Sequence, residues 1–175
     1  MHKILLCLSL LLSLSSALIA QDNSRAAIFG GYQFLHLNGQ GVSENANGWD
    51  AAVNGNITKY FGVTGDFSGA YKSISGASGH AYTYTFGPTA TVILKGKLNP
   101  FVHVLLGGTS VGGSLTGGGS GSNSGFAMFL GGGVDAKVDR SISVRVVQFD
   151  WLHYSVSGVS GSSNVRLCFG AVLHL

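Results

Sequence analysis

The fold is decided by residues 49–58, which read WDAAVNGNIT. The odd positions from Trp49 to Ile57 carry apolar or small residues, and the even positions from Asp50 to Thr58 are mostly polar. A period of two places these sets on opposite faces of a β-strand. The stretch therefore predicts a strand that separates an apolar environment from a polar one.

Similar alternation recurs along the chain. The predicted strands are Ala27–Leu37, Trp49–Thr58, Gly62–Tyr71, Ala81–Leu94, Pro100–Leu106, Phe126–Val138, Ile142–Trp151 and Val165–Leu175. The connections alternate between long (Asn38–Gly48, Lys72–His80, Gly107–Gly125, Ser155–Asn164) and short (Lys59–Phe61, Lys95–Asn99, Asp139–Ser141). Their Gly- and Ser-rich composition predicts that the long connections are mobile loops.

This rhythm of connections is typical of a barrel that crosses a bilayer eight times, with tight turns on one side and long loops on the other. We therefore predict an all-β fold: an eight-stranded antiparallel up-and-down transmembrane β-barrel.

The first twenty residues have the character of a secretory signal peptide. Lys3 precedes the apolar run Ile4–Leu14, and small residues lead to a cleavage site after Ala20, with Ala17 as the alternative. We expect a signal peptide at residues 1–20 and a single barrel domain at residues 21–175.

Composition supports a membrane barrel. Mean hydropathy is +0.34 with only 10% charged residues, yet no later stretch reaches the ~20 apolar residues of a spanning helix. Lys3 leaves with the signal peptide, so nine of the ten basic residues remain against seven acidic ones. That balance argues against a nucleic-acid partner. Cys168 is the only cysteine beyond the signal peptide, which excludes an intrachain disulfide.

The alternation also predicts which face meets lipid. Bulky aromatics near the loop-side ends of the apolar faces form the expected interfacial girdle: Trp49, Tyr71, Tyr82, Phe126 and Trp151. The polar faces carry charges of both signs, which should point into the narrow interior and pair there, because unpaired charges would be costly. The predicted interior polar residues are Asp66, Asp135, Lys137, Arg145, Asp150 and Arg166.

Strands one and seven depart from strict alternation. Arg145 and Asp150 both require the interior although their spacing is odd, and a β-bulge near Val146–Val147 would restore the phase. Strand one has apolar residues on both faces, and there we expect Gln33 inside and Tyr32 outside.

With these features the chain resembles the OmpA-type eight-stranded outer-membrane β-barrels of Gram-negative bacteria. The resemblance is carried by Ile28-Phe29-Gly30-Gly31-Tyr32, by Leu130-Gly131-Gly132-Gly133-Val134-Asp135 and by the last strand. In that family the last strand carries an assembly signal, which Gly170, Leu173 and Leu175 fit, although a terminal Phe or Trp is usual.

The resemblance implies location and partners. It implies an outer-membrane protein with its N- and C-termini in the periplasm. Its partners would be outer-membrane lipid, lipopolysaccharide and, during biogenesis, the barrel-insertion machinery. We expect a monomer.

The sequence offers one candidate for catalysis. His153 and Ser155 lie two residues apart near the outer end of a strand, as in the lipid A deacylases of this barrel class, and a His can activate a Ser hydroxyl. The acid that would orient the His is missing, since no acid follows Asp150 and Glu44 is the only glutamate.

Metal and cofactor sites are not predicted. The histidines beyond the signal peptide show no metal-ligand spacing: His36, His80, His103, His153 and His174.

We therefore predict a non-enzymatic barrel with a structural, envelope or surface-interaction role. The alternatives are a lipid-modifying enzyme that uses His153 and Ser155, and a narrow pore or a lipocalin-like carrier.

Overall fold

A computed structural model of the chain describes residues 26–39, 42–74, 77–94, 96–115, 120–156 and 159–175. The predicted signal peptide and its cleavage site lie outside the described residues. The strands are β1 Ala26–Gly39, β2 Val42–Asn56, β3 Phe61–Ile74, β4 Ala77–Thr91, β5 Leu98–Leu115, β6 Ser120–Lys137, β7 Ile142–Val156 and β8 Val159–His174. The described part of the chain contains no helix long and apolar enough to cross a membrane.

The strands form one closed antiparallel barrel in sequence order, in which β8 pairs with β1. The predicted fold class is therefore confirmed. One end of the barrel carries Ala26, Leu175 and the residues between β2 and β3, between β4 and β5, and between β6 and β7, and is called the terminal end. The opposite end, where β1/β2, β3/β4, β5/β6 and β7/β8 meet, is called the hairpin end.

The long loops are shorter than the sequence predicts. Most of their residues continue the strands, so that β5 runs on to Leu115 and β6 begins at Ser120. Ladder pairing continues through this region, with Thr109 opposite Gly125 and Gly113 opposite Gly121. Backbone pairing needs no apolar side chain, which is why Gly and Ser can continue a strand beyond the lipid.

The predicted bulge in strand seven is confirmed. The register of β7 shifts at Val146 against both neighbouring strands. Against β6, Asp135 pairs with Arg145 but Val134 pairs with Val147, and against β8 the shift lies between Arg145 and Gln148. The extra residue turns Arg145 and Gln148 toward the same interior, as a bulge allows.

The two faces of the barrel have the expected inverted polarity. Exposed outer residues include Val53, Phe67, Tyr84, Phe86 and Phe149, whereas Asp50, Asp66 and Asp150 are buried inside. A soluble lipocalin-like carrier would have the opposite arrangement, so that alternative is wrong.

The interior also contains two apolar clusters. The larger one lies on the hairpin side and consists of Leu35, Ala46, Ala70, Leu105, Ala127, Phe129 and Leu152. The smaller one, toward the terminal end, consists of Phe29, Ala52, Cys168 and Val172. The charged residues lie between and beside these clusters, in an interior that eight strands leave just wide enough for side chains to fill.

Candidate functional site

The centre of the barrel is organised around Arg166 of β8, whose side chain is completely buried. Its two terminal nitrogens donate to the two carboxylate oxygens of Asp66 on β3, at 2.9 and 3.0 Å. Its Nε donates to Oδ2 of Asp150 on β7 at 2.8 Å, and a terminal nitrogen lies 2.7 Å from the same oxygen. The guanidinium also lies over the ring of Phe129, 4.0 Å from its centroid. Such bidentate, charge-assisted contacts tie opposite walls of the barrel together.

A second cation, Arg145, lies on β7 directly before the bulge. Its Nε and a terminal nitrogen donate to the carboxylate of Asp135 at 2.8 and 3.1 Å. Its other terminal nitrogen donates to Oε1 of Gln148 at 2.6 Å. The guanidinium lies between the rings of Phe29 and Phe101, 4.3 Å from each centroid.

The two arginine sites are connected. Nε2 of Gln148 donates to Oδ2 of Asp150 at 2.7 Å, which links the Arg145 pair to the Arg166 cluster. His103 of β5 joins the same carboxylate, with Nε2 2.7 Å from Oδ1 of Asp150. One hydrogen-bonded network therefore extends across the interior from Asp135 to Asp66.

The predicted set of interior polar residues omitted Gln148 and His103, which belong to this network, and Asp50, which is buried beside it. His103 lies on the inner face of β5 and is buried beside Asp150, and its signal was the alternation of Phe101, His103 and Leu105 with outward Val102 and Val104. Asp50 was placed on the polar face of its strand but not among the paired charges. It is buried 3.7 Å from Arg166, and neither carboxylate oxygen has a hydrogen-bond partner among the described residues.

Lys137 does not belong to the interior network, contrary to the sequence prediction. The sequence placed it in the interior network, yet its side chain is exposed and shows no ion pair within the described residues. The physical reason is its position as the last residue of β6, where the strand has already reached the terminal end.

A cavity of about 180 Å³ occupies the terminal half of the interior. Its polar lining includes Asn54, Thr64, Thr89, Asn99 and His174, and it reaches the charged network at Asp66, His103, Arg145 and Gln148. Beyond that level Arg166 and the larger apolar cluster fill the described interior. The arrangement can hold water or a small polar solute at this end of the interior.

The predicted girdle residues all lie on the outer face, at the middle of the barrel or beyond it toward the hairpin end. Trp49 Nε1 donates to the hydroxyl of Tyr71, which donates in turn to the hydroxyl of Tyr82, each at 3.2 Å. Phe126 is exposed and Trp151 is half-buried. Such amphipathic rings suit the boundary between lipid and water.

His153 and Ser155 share this outer face. The ring of His153 stacks on Trp151 with a centroid distance of 6.1 Å, and Ser155 is exposed. The acidic side chains that the structure describes have their partners elsewhere: Glu44 with Lys72, Asp50, Asp66 and Asp150 with Arg166, Asp135 with Arg145, and Asp139 with the backbone of Arg140. Within the described residues no group of three or more His, Cys, Asp or Glu is arranged to hold a metal ion.

The last strand closes the barrel. Gly170 lies opposite Gly31 and Leu173 opposite Ile28, and the Leu175 amide donates to the Ala26 carbonyl at 2.8 Å. A Cβ on Gly170 would lie 2.3 Å from the carbonyl oxygen of Gly30, so the backbones approach closely only because this residue is glycine. Leu173 and Leu175 are exposed on the outer face.

Comparison with solved structures shows the same architecture. Neisserial surface protein A superimposes with a TM-score of 0.76 at 12% identity, over 89% of this chain and 100% of that one. The attachment invasion locus protein Ail of Yersinia pestis gives 0.61 at 17% identity, over 86% and 97%. The N-terminal β-barrel domain of Pseudomonas aeruginosa OprF gives 0.62 at 8% identity, over 88% and 100%. A comparison with curated proteins found no match.

A family model described as the outer membrane protein beta-barrel domain matches residues 4–167. The match covers nearly the whole chain, and the exposed apolar belt around a charged interior is the arrangement that an outer-membrane location requires. The chain belongs to the outer membrane protein β-barrel domain family.

Proposed function

We propose that this protein is a non-enzymatic, monomeric outer-membrane barrel that holds four β-hairpins outside the cell as a surface for interaction. Its N- and C-termini lie in the periplasm, and its lipid partners include lipopolysaccharide at the hairpin end. The barrel-insertion machinery recognises its last strand.

The observation that carries this proposal is the extension of the strands beyond the aromatic girdle. Tyr82–Thr91, from the girdle to the terminal end, spans ten residues, which matches the 9–11 residues that cross a bilayer. On the other side of the girdle, β2 extends seven residues beyond Trp49, from Gly48 to Val42. At ~3.4 Å per residue this is roughly 20 Å of strand along its own axis.

Side-chain contacts between neighbouring strands hold the part of the barrel beyond the girdle in a defined structure. Nδ1 of His36 lies 2.7 Å from Oδ1 of Asn45 across the β1/β2 pair. The Tyr32 hydroxyl donates to Asn47 at 2.7 Å, and Lys72 pairs with Glu44 across the β2/β3 pair at 2.7 Å. Paired strands of this kind offer a partner a preformed surface, which lowers the ordering cost of binding.

The filled interior favours a surface role over a pore. Leu105 and Arg166 are fully buried and separate the cavity from the hairpin end. His153 and Ser155 lie on the outer face of β7 whereas Asp150 of the same strand is buried in the interior, so the geometry likewise gives the enzyme alternative no support.

Cysteine labelling tests the orientation. Glu44→Cys stands at the hairpin end and Lys59→Cys in a turn at the terminal end, while the native Cys168 is buried and should not react. A membrane-impermeant maleimide should label Glu44→Cys on intact cells and Lys59→Cys only after the outer membrane is permeabilised. The reverse pattern would refute the proposed orientation.

Hairpin replacement tests the surface role. Cells that lack the protein should differ from wild type in adhesion to surfaces or host components. A shortened barrel is made by replacing residues 110–124 of the β5/β6 hairpin with a tight turn between the register partners Thr109 and Gly125. Complementation with this barrel should fail to restore wild-type adhesion. Full restoration by this shortened barrel would count against a role for that hairpin.

A further inference from the structure

The basic residues of the protein are distributed unequally between its two ends. Within the described residues, Arg166, Arg145 and Lys72 each have an acidic partner. The exposed cations that show no ion pair in the described chain all stand at the terminal end, namely Lys59, Lys97, Lys137 and Arg140. The only exposed acidic side chain described there is Asp139.

These four cations encircle the barrel. Lys59 lies in the turn between β2 and β3, and Lys97 in the turn between β4 and β5. Lys137 is the last residue of β6, and Arg140 lies in the turn between β6 and β7. The turns join alternate pairs of strands in a closed barrel, so they are spaced around its circumference. We call this ring the terminal rim; its described residues are 57–61, 92–94, 96–98 and 137–142.

Each cation of the terminal rim has large exposed apolar neighbours. The first turn carries Ile57, Tyr60 and Phe61, the second Ile93, Leu94 and Leu98, and the third Val138 and Ile142. In the first turn, the Lys59 ammonium lies 5.0 Å from the centroid of the Tyr60 ring. Lysine and arginine can keep their stems along apolar surface while the charged head reaches water, which suits the boundary of a bilayer.

We propose that the terminal rim binds the phosphate groups of anionic phospholipids in the leaflet that surrounds it. A leaflet contacts the whole circumference of the barrel, as the three separated turns require, whereas a docked soluble protein would need one continuous patch. The exposed apolar residues beside the cations enter the acyl region, except Ile93, which lines the interior cavity together with Lys59. The cations lie at the depth of the phosphates. A Lys or Arg close to an anionic lipid surface contributes about 1 kcal/mol, which corresponds to roughly a fivefold preference.

Spin-labelled lipids measure this preference in the intact barrel. The protein is reconstituted in phosphatidylcholine vesicles, and the motionally restricted fraction is compared for spin-labelled phosphatidylglycerol and phosphatidylcholine. We expect a two- to fivefold preference for phosphatidylglycerol over phosphatidylcholine. The upper value is the preference that one cation gives, and the average over all lipid positions around the barrel can only equal or lower it. High salt should reduce it, because exposed charges are screened.

Variants locate the preference on the terminal rim. The combined variant Lys59→Gln, Lys97→Gln, Lys137→Gln, Arg140→Gln should bring the ratio close to one. Lys97→Gln alone should lower it in part. Lys72→Gln also removes one cation, but at the hairpin end, and should leave the ratio unchanged. Heat-modifiable migration on a denaturing gel verifies that each variant is folded.

Three results would overturn the proposal: a wild-type ratio near one, a combined variant that keeps the wild-type ratio, or a preference that high salt does not change. A wild-type ratio near one combined with binding of inorganic polyphosphate to the protein in detergent would assign the terminal rim to a soluble anionic polymer instead. The test does not depend on the hairpins or on which side of the membrane they face, so its failure is distinct from failure of the proposed function.

Discussion

Replacing Arg166 by Met tests whether the interior network is as dry as the structure shows. The substitution keeps much of the apolar volume beside Phe129 and removes the only cation in contact with Asp66, Asp150 and Asp50 among the described residues. Those three carboxylates are almost completely buried. Arg166→Met therefore leaves buried negative charges without compensation.

The expected loss of unfolding free energy follows from this burial. Breaking a buried ion pair by removing one partner costs about 3–5 kcal/mol. Arg166 makes a bidentate pair with Asp66 and a second close pair with Asp150. Asp66 loses both of these hydrogen bonds, and Asp150 loses its arginine although it keeps Gln148 and His103 as partners. We therefore expect a loss at the upper end of that range. At ~1.4 kcal/mol for each factor of ten, this is a change of more than about a thousandfold in the folding equilibrium.

Urea titration of the refolded barrel in detergent, followed by the heat-modifiable gel shift, measures the loss. Lys72→Met is the matched control, because the Lys72–Glu44 pair has a similar separation of 2.7 Å but its side chains are 30% and 41% exposed. Exposed pairs contribute only about 0–1 kcal/mol. Adding Asp66→Asn and Asp150→Asn to Arg166→Met should recover much of the loss, since the uncompensated charges are then removed. An Arg166→Met barrel within about 1 kcal/mol of wild type would refute a dry network.

Four further outcomes are expected. Arg145→Ala should cost less than Arg166→Met in the same titration, because its site adjoins the cavity and is partly exposed; an equal loss would show that the cavity is dry. His153→Ala and Ser155→Ala should each leave the acylation of lipid A in cells unchanged. If the wild-type protein removes an acyl chain from lipid A and each substitution abolishes that activity, the deacylase alternative is established. Leu175→Asp should lower the amount of assembled protein in cells but not refolding in detergent, since a charge near the interface costs only ~0–1 kcal/mol; normal assembly in cells would show that the last strand is recognised otherwise. Gly170→Val should impair refolding itself, because its Cβ would collide with the backbone of β1, and normal refolding would show that this seam can open.

The sequence by itself determined the number of strands, their membrane-facing sides and the short turns. Alternation with a period of two is a local property, imposed wherever one face of a strand meets lipid and the other a polar interior. For the same reason the break in phase between Arg145 and Asp150 was sufficient to place the bulge at Val146.

Only the tertiary structure decided where the strands end on the hairpin side. Beyond the girdle both faces of a strand meet water, so no alternation is required there, and Gly107–Gly125 reads as a loop. Backbone pairing between β5 and β6 nevertheless continues there, from Gly107 opposite Ala127 to Ser114 opposite Ser120. Pairing depends on the partner strand and leaves no pattern in either strand alone.

The tertiary structure also decided which interior groups meet. Sequence alternation places Arg166, Asp66 and Asp150 on inner faces but does not say that residues a hundred positions apart, Asp66 and Arg166, form a bidentate pair. It also does not reveal that His103 is a hydrogen-bond partner of Asp150. The stagger of the closed barrel sets which inner residues share a level across the lumen, and that stagger is a property of all eight strands together.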